Sequence, residues 1–489
     1  MTNTTVLNKA ADNIRILAAS MVEKAKSGHP GGAMGGADFV NTLFAEFLVY
    51  DPSDPKWINR DRFFLDPGHM SPMLYSVLAL TGKFTLDELK QFRQWGSPTP
   101  GHPEVDVMRG IENTSGPLGQ GHAMAVGAAI AERFLVARFG DWMAHKTYAF
   151  ISDGGIQEEI SQGAGRIAGY LGLNNLIMFY DSNDIQLSTD TDAVTKEDTA
   201  AKYRAWGWNV LEINGNDADA IRGALIEAGQ EQSRPTLIIG KTIMGKGVVT
   251  EEGQSYERKC STHGQPLSAA GASFAKTIAH LGGNPDEPFA IFPEVEKLYA
   301  DRKAELLKVA ADRKAKQAAW EKENPELAVK LHQFFSGKAP EIDYKAIAQK
   351  PGIATRAASA NVLAVFAEQI ENMIVSSADL ANSDKTDGFL KKTHAFKSGD
   401  FTGAFLQAGV SELTMAAIMN GMMLHGGVIG ACGTFFVFSD YMKPAARMAA
   451  LMEVPVKYIW THDAFRVGED GPTHQPVEQQ AQIRLLEQL

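Results

Sequence analysis

The chain has 489 residues, of which 44% are hydrophobic and 21% charged, and a formal net charge of −11. This length suits about three domains with cores of useful size, and an acidic balance without any Lys/Arg block argues against a nucleic-acid or anionic-membrane surface. Two distant cysteines, Cys260 and Cys432, lie outside any CxxC and argue against a disulfide framework or zinc site; they fit a reducing compartment.

The opening "MTNTTVLNKAADNIR" lacks the apolar core of a signal peptide, and the longer apolar stretches are broken by Gly or polar residues. A cytoplasmic enzyme is the expectation. Residues 7–26 carry Ala10, Ile14, Leu17, Met21 and Ala25 at helical spacing. The glycine-rich "SGHPGGAMGG" then reads as a break. "RFFLDPGHM" reads as a short strand ending in a Pro-Gly turn, and residues 115–140 as a Gly-rich loop feeding an Ala-rich helix. Apolar runs recur at 147–152, 175–180, 208–213 and 235–242 with helical segments between them. Strands alternating with helices predict an α/β fold, a parallel sheet with helices on both faces. This first domain is drawn at 1–315. A charged helical linker follows at 316–352. A second α/β domain is drawn at 353–489, with helices at 355–371, 411–425 and 439–452 and strands at 372–379, near 428–432 and at 454–460. The chain stops at "QIRLLEQL", inside an apparent amphipathic helix without a cap, so the second sheet reads as unfinished.

The strand at 148–151 ends in Ser152-Asp153-Gly154-Gly155, and a plain Asp-capped turn would use the same residues. Ligands of parallel sheets sit beyond the C-terminal strand ends. There two glycines admit a ligand to the backbone, and a helix N-terminus attracts phosphate. The next strand is the discriminator. It ends in Asp181, Asn183 and Asp184, thirty residues after Asp153, and neighbouring strands would bring Asp153 and Asn183 to one edge. A carboxylate and an amide oxygen are hard ligands suited to Mg²⁺ or Ca²⁺, and so few protein ligands fit Mg²⁺ shared with a phosphorylated molecule. Neither a P-loop nor a dinucleotide fingerprint is present. Six histidines sit in Gly/Pro-rich loops: His29, His69, His102, His122, His263 and His474. They suggest a cleft with several proton donors and acceptors. Without HExxH spacing they do not suggest a zinc hydrolase.

Over essentially its whole length the sequence resembles transketolase, a thiamine-diphosphate enzyme. The resemblance rests on "SGHPGG", "DRFFLDPGHM", "TPGHPE", "NTSGPLGQG", "SDGG" followed by "YDSND", "THGQP", "ATRAAS", "SADLANS", "GTFFVFSDY" and "THDAFRVGEDGPTHQP". "TPGHPE" and the last motif distinguish transketolases from a deoxyxylulose-phosphate or dihydroxyacetone-type synthase. The resemblance implies thiamine diphosphate and Mg²⁺ as cofactors, with Ca²⁺ or Mn²⁺ as alternatives. It implies Asp153, Asn183 and the carbonyl of Ile185 as metal ligands. It places His69, Gly116, Leu118, Gly154, His263, Asp379, Glu412, Phe435, Phe438 and Tyr441 at the cofactor. Leu118 would hold it bent, and Phe438 would stack on the pyrimidine; for these aromatics, ordinary core filling is the competing reading. Glu412 would share a proton with the pyrimidine ring, a role that burial of a carboxyl favours. Glu158 is implied as a proton-coupling acid, or more plainly as charge compensation at a helix N-terminus. His29, His102 and His474 would meet the sugar, Asp470 would read a hydroxyl configuration, and His29, His263 and His474 are implied as catalytic beside Glu412 and Glu158. Arg356, Ser383 and His462 would meet the phosphate.

The implied reaction moves a two-carbon ketol unit between sugar phosphates in the pentose phosphate pathway. A homodimer with the site between subunits is implied, and neither nucleic acid nor membrane is an expected partner. Two departures stand out: Ser152 replaces a common Gly, and transketolases continue past the point where this sequence stops. The expectations are thiamine diphosphate binding and weak or absent turnover with a raised KM. A non-catalytic chain that binds the cofactor or only dimerises is the reading from another class.

Overall fold

A computed structural model of the chain describes residues 2–464 and 467–489. Phe465 and Arg466 of the "THDAFRVGEDGPTHQP" motif therefore lie outside the described residues.

Five strands build the first sheet: β1 Arg62–Leu65, β2 Thr147–Ser152, β3 Leu176–Ser182, β4 Asn209–Asn214 and β5 Thr236–Lys241. They pair in the order β1-β2-β3-β5-β4, and every pairing is parallel. All residues of β2 and β3 are buried. That accounts for the unbroken apolar runs "TYAFIS" and "LIMFY", because a sheet covered on both faces has no polar side. Four further strands, β6 Met373–Ser377, β7 Phe405–Gln407, β8 Ile429–Phe435 and β9 Lys457–Thr461, form a second parallel sheet in the order β7-β6-β8-β9. The three-residue β7 carries too short an apolar run to stand out in the sequence.

The glycine-rich "SGHPGGAMGG" is not a loop. Pro30–Gly35 is a helix, α1, wholly buried and begun by its proline. Pro is preorganised for the first helical turn, and burial supplies what glycine's weak propensity does not. Bare backbone is required here: a Cβ on Gly31 would stand 2.5 Å from Met244 Sδ and 2.7 Å from the Thr262 carbonyl oxygen. The closing amphipathic segment forms only the short helix Gln479–Arg484.

The chain divides into two compact units, one of Met1–His122, Lys146–Glu158 and Leu176–Lys314, the other of Ala123–His145, Glu159–Asn175 and Ala315–Leu489. The contiguous boundaries 1–315 and 353–489 cut across this division. Two stretches of the first half join the second unit because glycines let their helices touch another helix at backbone distance. These helices are α2 Gln120–Phe139, α3 Glu159–Leu171 and α4 Glu412–His425. A Cβ on Gly127 of α2 would lie 1.9 Å from the Ile418 carbonyl oxygen, and one on Gly421 of α4 would lie 1.9 Å from that of Met124. A Cβ on Gly163 of α3 would stand 2.4 Å from Thr414 Oγ1. Among the described residues no helix is long and apolar enough to cross a membrane.

Candidate active site

Asp153 stands at the C-terminal end of β2, where Ser152 caps the next helix by accepting a hydrogen bond from the Gly155 N–H. The register Ser152↔Asp181 puts Asn183 beside Asp153, as the thirty-residue spacing predicts. Tyr180 donates its hydroxyl proton to Asp153 Oδ1 at 2.5 Å. The backbone N–H groups of Asn183 and Asp184 donate to Asp153 Oδ2, each at 3.0 Å. Burial pushes the Asp153 carboxyl up to about 6 against these three donors. A buried carboxyl held at such a value gains most by meeting a cation. Asn183 Oδ1 accepts the Ile185 N–H at 3.0 Å, and its Nδ2 donates to Asp181 Oδ2 at 3.1 Å. Among the described residues no three His, Cys, Asp or Glu side chains cluster as a metal site. The Asp153–Asn183 pair suits a cation that takes its other ligands from phosphate and water.

Four of the six loop histidines converge in the same unit. The His29 ring lies 5.2 Å from His69, 5.6 Å from His263 and 6.5 Å from His102, and His69 lies 5.2 Å from His263. Burial, then the other histidines and Arg93, holds His29 down to about 4. Burial likewise lowers His69, His102 and His263. All four are thus favoured as neutral imidazoles, each with one donor and one acceptor. His29 hydrogen-bonds the backbone of His263, while Nδ1 of both rings is buried without a partner among the described residues. Such orphaned atoms are costly unless a polar ligand meets them.

Close contacts join the histidines to the Asp153 edge. A Cβ on Gly116 would lie 4.0 Å from His102, and one on Gly154 would lie 3.1 Å from Leu118. On the other side, a Cβ on Gly264 would lie 2.7 Å from Leu187 and 3.5 Å from His29 Nδ1. His102, Gly116, Leu118, Gly154, Asp153, Asn183 and His263 therefore rim one region. Loops that need glycine, an acid at a strand end and two imidazoles that each leave Nδ1 unsatisfied fit a diphosphate ligand with its cation.

Two residues here escaped the sequence reading. Arg93 donates to Ser27 Oγ at 2.9 Å and depresses both His29 and His102. Only Gly101 leaves room for it, since a Cβ there would stand 2.7 Å from Arg93 Nε. Asp66 is buried beneath the first turn of α2 and accepts the His122 N–H at 3.2 Å. Burial pushes it up to about 6, opposed by the N–H groups of Gly119, His122 and Gly121 and reinforced by the charge of Glu158. Glu158 itself is exposed, at the break before α3. His122 is wholly buried in α2 and does not join the histidine group.

A second constellation lies at the strand ends of the second sheet. Arg356 donates to the Ser383 carbonyl at 3.2 Å, and its guanidinium meets His462 Nε2 at 2.7 Å. His462, at φ 53°, packs its ring 3.7 Å from that of Phe435. Phe435 stacks on Phe438 at 5.9 Å; Phe438 meets Tyr441 at 6.0 Å and His474 at 5.4 Å. Asp470 is near enough to raise His462 against burial and Arg356. Glu412 opens α4 and is buried; burial raises its pKa, opposed by its own N–H and the Thr434 hydroxyl. Tyr441 is exposed, which does not suit core filling. Asp379 follows β6, exposed and at φ 63°.

Residues 6–340 match the family described as "Transketolase, thiamine diphosphate binding domain", and residues 351–489 match "Transketolase, pyrimidine binding domain". The sequence is 43% identical over 493 residues to a transketolase of Geobacillus stearothermophilus, covering 98% of this chain and 72% of that protein. It is 42% identical over 499 residues to one of Bacillus subtilis, covering 99% and 73%. A transketolase structure from Leishmania mexicana superposes with a TM-score of 0.92 at 37% identity, over 99% of this chain and 72% of that one. A Pichia stipitis transketolase solved with sedoheptulose 7-phosphate gives 0.92 at 38% identity, again over 99% and 72%. With residues 6–340 and 351–489 matching these two family models and transketolases above 40% identical over nearly the whole sequence, the chain belongs to the transketolase family.

Proposed function

We propose that the chain transfers a two-carbon ketol unit from a ketose phosphate such as xylulose 5-phosphate to an aldose phosphate such as ribose 5-phosphate or erythrose 4-phosphate. It would work in the pentose phosphate pathway as a cytoplasmic homodimer. The observation that carries this reading is the continuity of four neutral histidines with the Asp153–Asn183 edge. Solved Pichia stipitis relatives with sedoheptulose 7-phosphate and fructose 6-phosphate support sugar phosphates as the substrate class.

Asp153, Asn183 Oδ1 and the Ile185 carbonyl would hold the divalent cation. Gly116, Leu118, Gly154, His69 and His263 would line thiamine diphosphate, with Phe435, Phe438 and Tyr441 at its pyrimidine. When bound, this cofactor supplies the electron sink that cleavage beside a ketone requires. Glu412, its pKa raised by burial, would share a proton with a ring nitrogen. His29, His102 and His474 would offer ring nitrogens to sugar hydroxyls and carbonyl. Asp470 would pair with one hydroxyl, and Arg356, Ser383 and His462 would take the phosphate.

Calorimetry with thiamine diphosphate and Mg²⁺, paired with a ketol-transfer assay, tests the reading. The wild type is expected to bind the cofactor only with the cation. Asp153→Asn should weaken binding at least about tenfold. Glu412→Ala should still bind but lose turnover at least about a hundredfold. Binding by the wild type without any ketol transfer would favour a cofactor-binding, dimerising role instead.

A further inference from the structure

Asp181 is a fully buried carboxyl at the end of β3 to which the proposed reaction gives no task. One of its oxygens accepts the Thr242 hydroxyl and the other accepts Asn183 Nδ2 at 3.1 Å. We propose that Asp181, steadied by Thr242, is a positioning residue that decides which end of the Asn183 amide faces the cation. This rests on the reading that Asn183 is a cation ligand.

The two ends of an amide side chain are nearly alike in shape and opposite in hydrogen bonding. In the observed orientation Oδ1 faces the Ile185 N–H and Nδ2 faces Asp181. A flipped Asn183 would set donor against donor at Ile185 and acceptor against acceptor at Asp181. It would also present N–H groups where a hard cation needs oxygen. The backbone around the amide is already fixed, because the N–H groups of Asn183 and Asp184 both bind Asp153. Only the amide rotation remains to be set. Thr242 follows β5, whose residue Gly240 pairs with Asp181. Its own seat depends on Gly215, where a Cβ would stand 2.6 Å from Thr242 Cγ2.

The test is Mn²⁺ binding in the presence of thiamine diphosphate, read by electron paramagnetic resonance, with the melting temperature of each cofactor-free variant measured alongside. Thr242→Val leaves Asp181 able to accept from Asn183, so Mn²⁺ affinity should stay within about threefold of wild type although the protein melts lower. Asp181→Asn alone should also stay within about threefold, because Thr242 can turn to accept from the new amide while the remaining oxygen faces Asn183. In the double variant D181N/T242V no hydroxyl accepts from the residue-181 amide, so its N–H groups can turn toward Asn183; Mn²⁺ binding should weaken at least about thirtyfold, beyond the roughly ninefold that two independent losses of about threefold would give, and Asp181→Leu should weaken it at least about tenfold. A merely structural role would give losses that add and follow melting temperature. Wild-type affinity in D181N/T242V, or simple additivity, overturns the proposal. Asn183→Leu separates the two layers: if it binds Mn²⁺ normally, the ligand reading fails; if it alone loses binding, only the positioning role fails.

Discussion

Arg93 shows how a site residue stays hidden in a sequence. Its motif, "FRQWG", resembles any turn, and its left-handed backbone at φ 61° cannot be read from an arginine. Its targets, His29 and His102, come from two other loops. Asp153 and Asn183 were legible because acid and amide at the ends of consecutive parallel strands must share an edge. Asp66 and Asp181 were not, since their importance lies in partners supplied by distant chain, the first turn of α2 and Thr242. The charge of Arg93 makes a direct prediction. Removing a cation eases protonation of a neighbouring imidazole, so Arg93→Gln should move the titrations of His29 and His102 to higher pH. Imidazole NMR titration of wild type and variant checks this, with His394, a surface histidine of the other unit, as internal control. Unchanged curves for His29 and His102 would remove Arg93 from the site's electrostatics.

At the scale of elements, periodicity located the strands to within a few residues and misread the glycines. Glycine lowers helix propensity, so "PGGAMG" read as a loop. In α1, as in α2 and α4, glycine instead records how near the next backbone comes, which local propensity does not encode. The prediction is a contrast between two helical glycines. Gly421→Ala would force a methyl against the Met124 carbonyl and should cost about 3 kcal/mol. Gly223, in the helix Ala218–Gln230, has nothing within 4 Å of an added Cβ, and Gly223→Ala should stabilise by about 0.5–1 kcal/mol. Urea unfolding of the two variants tests this. Equal effects would mean that the α2–α4 approach is looser than drawn.

For the whole molecule, the family resemblance held over nearly the whole chain, while the division into compact units did not follow chain order. The same α2 that enters the second unit begins at Gln120, and its third residue, His122, closes the first stretch of the first unit. His122 is fully buried, and neither ring nitrogen has a hydrogen-bond partner among the described residues. Burial holds it down to about 3. A base depressed in the folded state contributes stability above its unfolded pKa of about 6.5, and that stability is lost as pH falls toward the folded value. Asp66, raised to about 6, acts in the opposite sense: its contribution is full below about 3.9 and fades as pH rises through 6. Between pH 4 and 6.5 the two oppose each other, so wild-type stability is expected to vary less than either group alone would cause. His122→Leu removes one side of this balance. At pH 7.5 it should be neutral or stabilising, because an unsatisfied polar group gives way to an apolar one of similar size. At pH 4.5 it should gain about a further 2–3 kcal/mol over wild type, since only the wild-type unfolded chain then takes up the proton. Urea unfolding at the two pH values measures the difference. A gain independent of pH would show that His122 is protonated or hydrogen-bonded inside the folded protein, and that α2 begins in a wetter setting than its burial indicates.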